Sequence, residues 1–242
     1  MSLFEYLQNN RDTILGWLAW HAWLSAAPLL LGLALAVPLG WVARRTPWLY
    51  PPIVTTAGLL YTIPSLALFV ILPGILHTRI LDPMNVVVAL TVYTVALLVR
   101  VVADGLAAVP EPVVQSATAM GYRRLQRLVR VELPLAVPVI AAGVRVAAVS
   151  NVSLVSVAAI IGVPELGQLF TNGFQLFAWE PIALGIIGCV LLAGLFDVVV
   201  VLTARLLTPW RRGRGTRPLT PASAVATPDR AAGPQARPEP VR

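Results

Sequence analysis

Apolar residues in this chain are gathered into long blocks. Five stretches, at about 20–42, 53–76, 84–106, 134–161 and 181–207, are almost continuously apolar, and shorter segments carrying the charge separate them. Each is long enough to cross a hydrocarbon core of roughly 30 Å as a helix. The pattern predicts an all-α integral membrane protein of about five transmembrane helices. Residues 1–14 are more polar and are expected to form a short surface helix with Phe4, Tyr6 and Leu7 toward lipid. Residues 1–19 are therefore read as an interfacial segment and 20–209 as the membrane domain. Trp17, Trp20 and Trp23 sit near the start of the first block, where amphipathic rings favour the headgroup zone. Pro64 lies inside the second block, in the run Tyr61-Thr62-Ile63-Pro64-Ser65; it removes one backbone donor and predicts a kink.

Composition supports the membrane assignment. Of 242 residues, 57% are hydrophobic and 12% charged, against roughly 25% charged in soluble domains. Mean hydropathy is +0.79. All 18 basic residues are Arg and the net charge is +7, which by itself would suit a nucleic-acid partner. Position argues for lipid instead, because the arginines cluster at the ends of apolar blocks and in the tail. Nucleic acid is not expected as a partner.

With five spans, Arg44 and Arg45, the group Arg123, Arg124, Arg127 and Arg130, and the group Arg205, Arg211, Arg212 and Arg214 fall on one side. The other side has only Arg11 and Arg79. The positive-inside rule then places the N-terminus outside and the C-terminus in the cytoplasm. Residues 210–242 are rich in Pro, Ala, Thr, Gly and Arg without an apolar stripe, and are read as a disordered basic cytoplasmic tail able to touch anionic lipid. The N-terminus has no basic region or small-residue cleavage pattern and is not read as a removable signal. Cys189, inside an apolar block, is the single cysteine, so neither a disulfide nor a thiolate metal site is expected within one chain.

The segment 109–134 is too long and too patterned for a plain connector. Pro110 and Pro112 open a helix, Gln115 to Met120 make a small-residue turn, and Gly121 ends or bends it. A second helical piece follows, with Arg123, Arg127 and Arg130 on one face and Leu125, Leu128 and Val129 elsewhere. Such a helix–Gly–helix projection suits a groove on a soluble partner, and an amphipathic helix at the membrane surface is equally compatible with the pattern.

Gln115-Ser116-Ala117, Gly121 and Val131-Glu132-Leu133-Pro134 resemble the EAA loop of bacterial ABC-importer permeases, whose pattern is Glu-Ala-Ala, three residues, Gly, nine residues, Ile, one residue, Leu-Pro. Gln115, Ser116 and Val131 depart from it, and Gln115 replaces the carboxylate with an amide. Thr62-Ile63-Pro64-Ser65-Leu66-Ala67-Leu68, Ala119-Met120-Gly121 and the run 131–140 are similar to the branch that imports glycine betaine, choline, carnitine or proline betaine. The resemblance implies a type I ABC-importer permease fold in a bacterial inner membrane. Its expected partners are a second permease copy, identical or related, two cytoplasmic ATPase subunits and an extracytoplasmic binding protein. ATPase coupling is expected at Gln115, Ser116, Ala117, Gly121, Val131, Leu133 and Pro134.

No G-x-x-x-x-G-K-[ST] loop occurs and the chain has no Lys, so ATP and Mg are expected on the partner ATPase, with no cofactor, metal or catalytic residue on this chain. Tyr61, Thr62 and Ser65 on the second span, and Asn151, Ser153 and Ser156 on the fourth, are candidates for the substrate path; polar packing between helices is the other reading. Arg145 and Asp197 lie at matching depth in two spans and form a candidate intramembrane pair. Arg100 and Asp104, four apart, can pair along one helix. Glu165 and Glu180 are candidate docking acids beside a periplasmic turn. His21 and His77 are read as isolated. Methionine or another small solute is the alternative cargo, and a secondary transporter the alternative class.

Overall fold

The computed structural model describes residues 3–79 and 81–210. The described residues up to Thr208 form one compact unit. The expected tail falls outside the described residues from 211 onward. Ten α-helices run along the described chain: α1 Leu3–Asn9, α2 Arg11–Arg45, α3 Tyr50–Thr62, α4 Ser65–Leu76, α5 Pro83–Ala107, α6 Glu111–Ala119, α7 Arg124–Arg127, α8 Leu133–Val155, α9 Gln168–Gln175 and α10 Trp179–Leu207. A π-helical turn, Leu128–Glu132, precedes α8, and a 3-10 segment, Ser156–Ile161, follows it.

Glycine positions show how the spans run. A Cβ on Gly32 would stand 2.4 Å from the Thr94 side chain, and one on Gly40 would stand 2.7 Å from Val102. The pairs 32 with 94 and 40 with 102 advance together, so α2 and α5 are parallel and in close backbone approach. Gly143 meets Val101 and Gly105 meets Ile140, which makes α5 and α8 antiparallel. On α10, Leu192 clusters with Val152 and Asp197 meets Arg145, so α10 is antiparallel to α8.

Because α2 and α5 are parallel, the chain must return between them, and α3 with α4 makes that return. Ile53 and Ala57 pack with Ala96 and Val99, whereas Phe69 and Leu72 pack with Val86 and Leu90, in reverse order along α5. The pair bends by 101°. The expected single kinked helix is thus a broken span. Pro64 lacks a donor and clashes with the preceding turn, and it drives Ile63 into an extended conformation, ψ 129°. Among the described residues four helices are long and apolar enough to cross a membrane, and five if the bent pair counts as one span.

Two boundaries move. The first spanning helix, α2, is 35 residues, about 52 Å at 1.5 Å per residue, and already begins at Arg11. Only α1 stands apart as a separate N-terminal helix, and Tyr6 is not on a lipid face: it packs with Ile14, Trp17 and Leu18 around Leu166, Leu169 and Leu192. Phe4 and Leu7 remain exposed. The fourth span continues the helical run from Arg124 to Ile161, because the π turn joins α7 to α8 without a break. Helix α5 is the buried axis of the bundle, while little of the apolar stretch of α10 is covered.

Candidate functional site

At the arginine-rich end, α5 leads into the helix–Gly–helix element. Pro112 falls in the first turn of α6, where its missing N–H costs nothing. Tyr122 N–H donates to the Ala117 carbonyl at 3.2 Å and Gly121 N–H to Thr118 at 3.0 Å, the pair of reverse bonds that closes a helix on a left-handed residue. Gly121 is that residue, φ +83°, with open space around it. Inward, Val114 and Leu128 join the cluster of Leu98, Val102, Leu106 and Ala136, and Ala117 is buried. Outward stand Gln115 and Ser116, with Gly121. Val131, Leu133 and Pro134 are half-buried beneath them. The motif residues therefore divide into an outer face and an anchor.

One buried carboxylate sets the angle of the element. Glu132 is 4% exposed and accepts from Arg127 Nε at 2.7 Å. Arg127 Nη1 donates to Thr118 Oγ1 at 2.7 Å, and Thr118 donates on to the Val114 carbonyl at 2.8 Å. This chain of bonds ties α6, α7 and the π turn together. In that turn Leu133 N–H reaches the Leu128 carbonyl, just before Pro134, which has no N–H to give. Leu128 is buried against the bundle, apart from Leu125 and Val129, with which the spacing had grouped it. Met120, Leu125 and Val129 are left exposed, at 70%, 64% and 56%, as an apolar outer face that the arginine pattern had masked. Arg127 is committed inward and does not share an outer face with Arg123 and Arg130.

The candidate path residues separate. Tyr61 is exposed and stands edge-on to Tyr93, ring centroids 5.7 Å apart; Tyr93 Oη donates to the Ile63 carbonyl and so holds the break. Thr62 is exposed and donates to the Leu59 carbonyl at 2.7 Å, while Ser65 starts α4, half-buried. Ser153 is exposed and Ser156 half-buried, with Ser156 Oγ donating to the Ser153 carbonyl at 2.6 Å. Asn151 differs: it is 2% exposed, and its Nδ2 donates to Thr94 Oγ1 at 3.1 Å and to the Ser25 carbonyl at 3.4 Å. It knots α2, α5 and α8 together and does not face an open path, since a buried amide is stable only where its hydrogen bonds are met.

Arg145 and Asp197 form two parallel bonds, Nε to Oδ1 at 2.6 Å and Nη2 to Oδ2 at 2.9 Å. Their side chains are 48% and 31% exposed on the chain taken alone. An ion pair this deep in two spans is costly against hydrocarbon, so the face it occupies belongs to water or to protein. Arg100 and Asp104 pair loosely at 3.5 Å on the surface of α5, and Asp104 also accepts from Tyr50 Oη at 3.0 Å.

At the opposite end lies a pair that the sequence did not suggest. His21 and Glu165 are both 0% exposed, with Nδ1 2.7 Å from Oε2. His21 Nε2 donates to the Val152 carbonyl at 3.0 Å, and Gly167 N–H donates to Glu165 Oε2 at 2.6 Å. Glu165 is therefore not an exposed docking acid, and His21 is not isolated; the turn Gly162–Gly167 folds the carboxylate under α2. Glu180 sits half-buried in the first turn of α10.

Residues 29–213 match the protein family described as binding-protein-dependent transport system inner membrane component. The chain is 32% identical over 211 residues to the osmoprotectant import permease protein OsmW of Salmonella typhimurium, covering 86% of this chain and 98% of that one. It is 30% identical to the choline transport system permease protein OpuBB of Bacillus subtilis, covering 86% and 94%. Among solved structures, an inward-facing form of the MetNI methionine ABC transporter superposes with a TM-score of 0.74 at 19% identity, covering 86% of this chain and all of that one. The shared architecture is that of type I ABC-importer permeases. On the extent of the match and on this fold, the chain belongs to the family of inner membrane components of binding-protein-dependent transport systems.

Proposed function

We propose that this chain is the permease of an ATP-driven importer of osmoprotective quaternary amines, such as glycine betaine, choline, carnitine and proline betaine. The observation that carries the cargo is the 32% identity to an osmoprotectant permease over 98% of its length. The likeness to the methionine transporter is one of fold alone.

In this reading the chain works as a dimer, identical or with a related permease, and receives cargo from an extracytoplasmic binding protein. A pair of cytoplasmic ABC ATPases binds ATP and Mg and docks on the outer face of α6 and α7, where Met120, Leu125 and Val129 supply apolar contact and Gln115 and Ser116 flank them. The arginine-rich end faces the cytoplasm, as does the C-terminus, and the N-terminus lies outside. Movement of the docked element is carried to α8 through Arg127–Glu132 and the π turn, and the spans exchange two packings. Tyr61, Thr62, Ser65, Ser153 and Ser156 stand at helix discontinuities, the places where spans expose polar groups to a path. Uptake of radiolabelled glycine betaine, choline and methionine in cells lacking their own carriers tests the assignment. ATP-dependent uptake of the quaternary amines is expected; uptake of methionine alone would overturn it.

A further inference from the structure

A cleft of about 390 Å³ opens between the 3-10 end of α8 and α9, at the end of the bundle away from the arginine clusters. Small-molecule sites run from roughly 300 to 1,000 Å³, so it is large enough for a small solute. Ser156 and Ile160 line one side, and Phe170, Thr171, Phe174 and Gln175 the other. No charged side chain is among its lining residues. Its hydroxyls are occupied within the protein: Ser156 Oγ donates to the Ser153 carbonyl and Thr171 Oγ1 to the Gln168 carbonyl at 3.1 Å. The wall thus offers aromatic rings and few free donors.

Gly167 forms part of that wall, and the buried carboxylate lies directly behind it. A Cβ on Gly167 would stand 2.4 Å from Glu165 Oε1 and 2.3 Å from the Ser156 carbonyl oxygen. Glu165 Oε1 is buried and finds no hydrogen-bond donor among the described residues. Because the Val152 carbonyl can only accept, His21 Nε2 carries a proton, and one further proton is shared between His21 Nδ1 and Glu165 Oε2. Wherever that proton rests, Oε1 remains an acceptor with no donor. An unmet acceptor oxygen therefore lies behind the cleft, and a buried acceptor left unmet is costly without a reason.

A cation that carries no N–H or O–H at its charged centre fits these features. A quaternary ammonium group presents its charge on methyl hydrogens, gains from aromatic faces and needs no hydrogen-bond partner. We propose that this cleft is a transfer site for the trimethylammonium head of the cargo, with Phe170 and Phe174 as its aromatic walls and the unmet Glu165 Oε1 as the acceptor pole behind them. This rests on the quaternary-amine reading above.

The test uses the full-length permease co-produced with its ATPase and reconstituted in lipid, without the binding protein. Equilibrium dialysis measures labelled choline, with its neutral carbon isostere as competitor. Choline should bind and the isostere should not displace it. Phe174 is 77% exposed, so its variants leave the fold intact. Phe174→Leu should weaken choline binding about two- to fivefold and Phe174→Tyr should keep it, as expected for a cation–π contact on an exposed ring. Glu165→Gln should weaken it as well. Equal competition by the isostere, or unchanged binding in Phe174→Leu, would overturn the site. Uptake in cells is read separately: quaternary amines imported while Phe174→Leu binds normally would sink the cleft and leave the cargo standing, whereas no such import at all would sink the cargo.

Discussion

Two buried carboxylates mark the two ends of this permease, and they are handled differently. Glu132, at the arginine-rich end, meets Arg127 five residues away, and Arg127 reaches Thr118 nine residues away. Glu165, at the other end, meets His21 across 144 positions and keeps one oxygen without a donor. The first arrangement is local and, among the described residues, leaves no buried side-chain atom unmet, which suits a part that must move as one piece. The second is assembled by the whole fold and incompletely satisfied, which suits a part that awaits something else.

The largest effect expected from that contrast is in His21→Leu. It leaves a fully buried carboxylate with only the Gly167 N–H, and about 3–5 kcal/mol of stability should be lost in thermal unfolding in detergent. Arg127→Leu should cost less, about 1–3 kcal/mol, because a quarter of that side chain already reaches solvent. Equal losses would erase the distinction between the ends.

Glycine replacements sharpen the contrast at the next level. Gly167→Ala drives a methyl into the Ser156 carbonyl and Glu165, costing about 2–3 kcal/mol by overpacking. Gly121→Ala meets nothing and costs about 1–2 kcal/mol through its left-handed backbone alone. Asn should recover much of the loss at Gly121 and none at Gly167, since only the former is a matter of φ. The same unfolding assay separates them. Thr118→Val should cost about 1 kcal/mol, the loss of one hydrogen bond to Arg127, and uptake should fall while choline binding holds.

Between the two ends lies Arg145–Asp197. Its expected signature is a lack of effect on unfolding with an effect on transport: Asp197→Asn should lower uptake, and exchanging the two charges should restore it. A swapped pair no better than either single variant would show that the contact itself is not what matters.

What could be read from the sequence follows the same division. Block lengths of 20 residues or more announce spans whatever they pack against, and Gly121 with its flanking small residues announces a local turn. Pro64 predicted a disturbance but not its size, because how far a helix bends after losing one bond depends on what receives the freed groups; here Tyr93 caps the Ile63 carbonyl from another helix. Leu128 was grouped with Leu125 and Val129 because all three are apolar, and only the packing of Leu128 against Leu98, Val102 and Leu106 on α5 separates it from them. Asn151 was readable as polar, not as buried, since its partners Thr94 and Ser25 lie on other spans. His21 and Glu165 left no signal at all: their pairing exists only once the turn after Ile161 folds beneath α2.

The central claim is that the outer face of α6 and α7 is the seat of the ATPase on the cytoplasmic side. In a chain whose half-buried Cys189 is replaced by Ala, Met120→Cys is exposed to a membrane-impermeant maleimide in oriented vesicles, with and without the ATPase. Labelling only in inside-out vesicles, and its loss when the ATPase is bound, is the predicted result. Labelling from the outer face, or undiminished labelling with the ATPase in place, would contradict it.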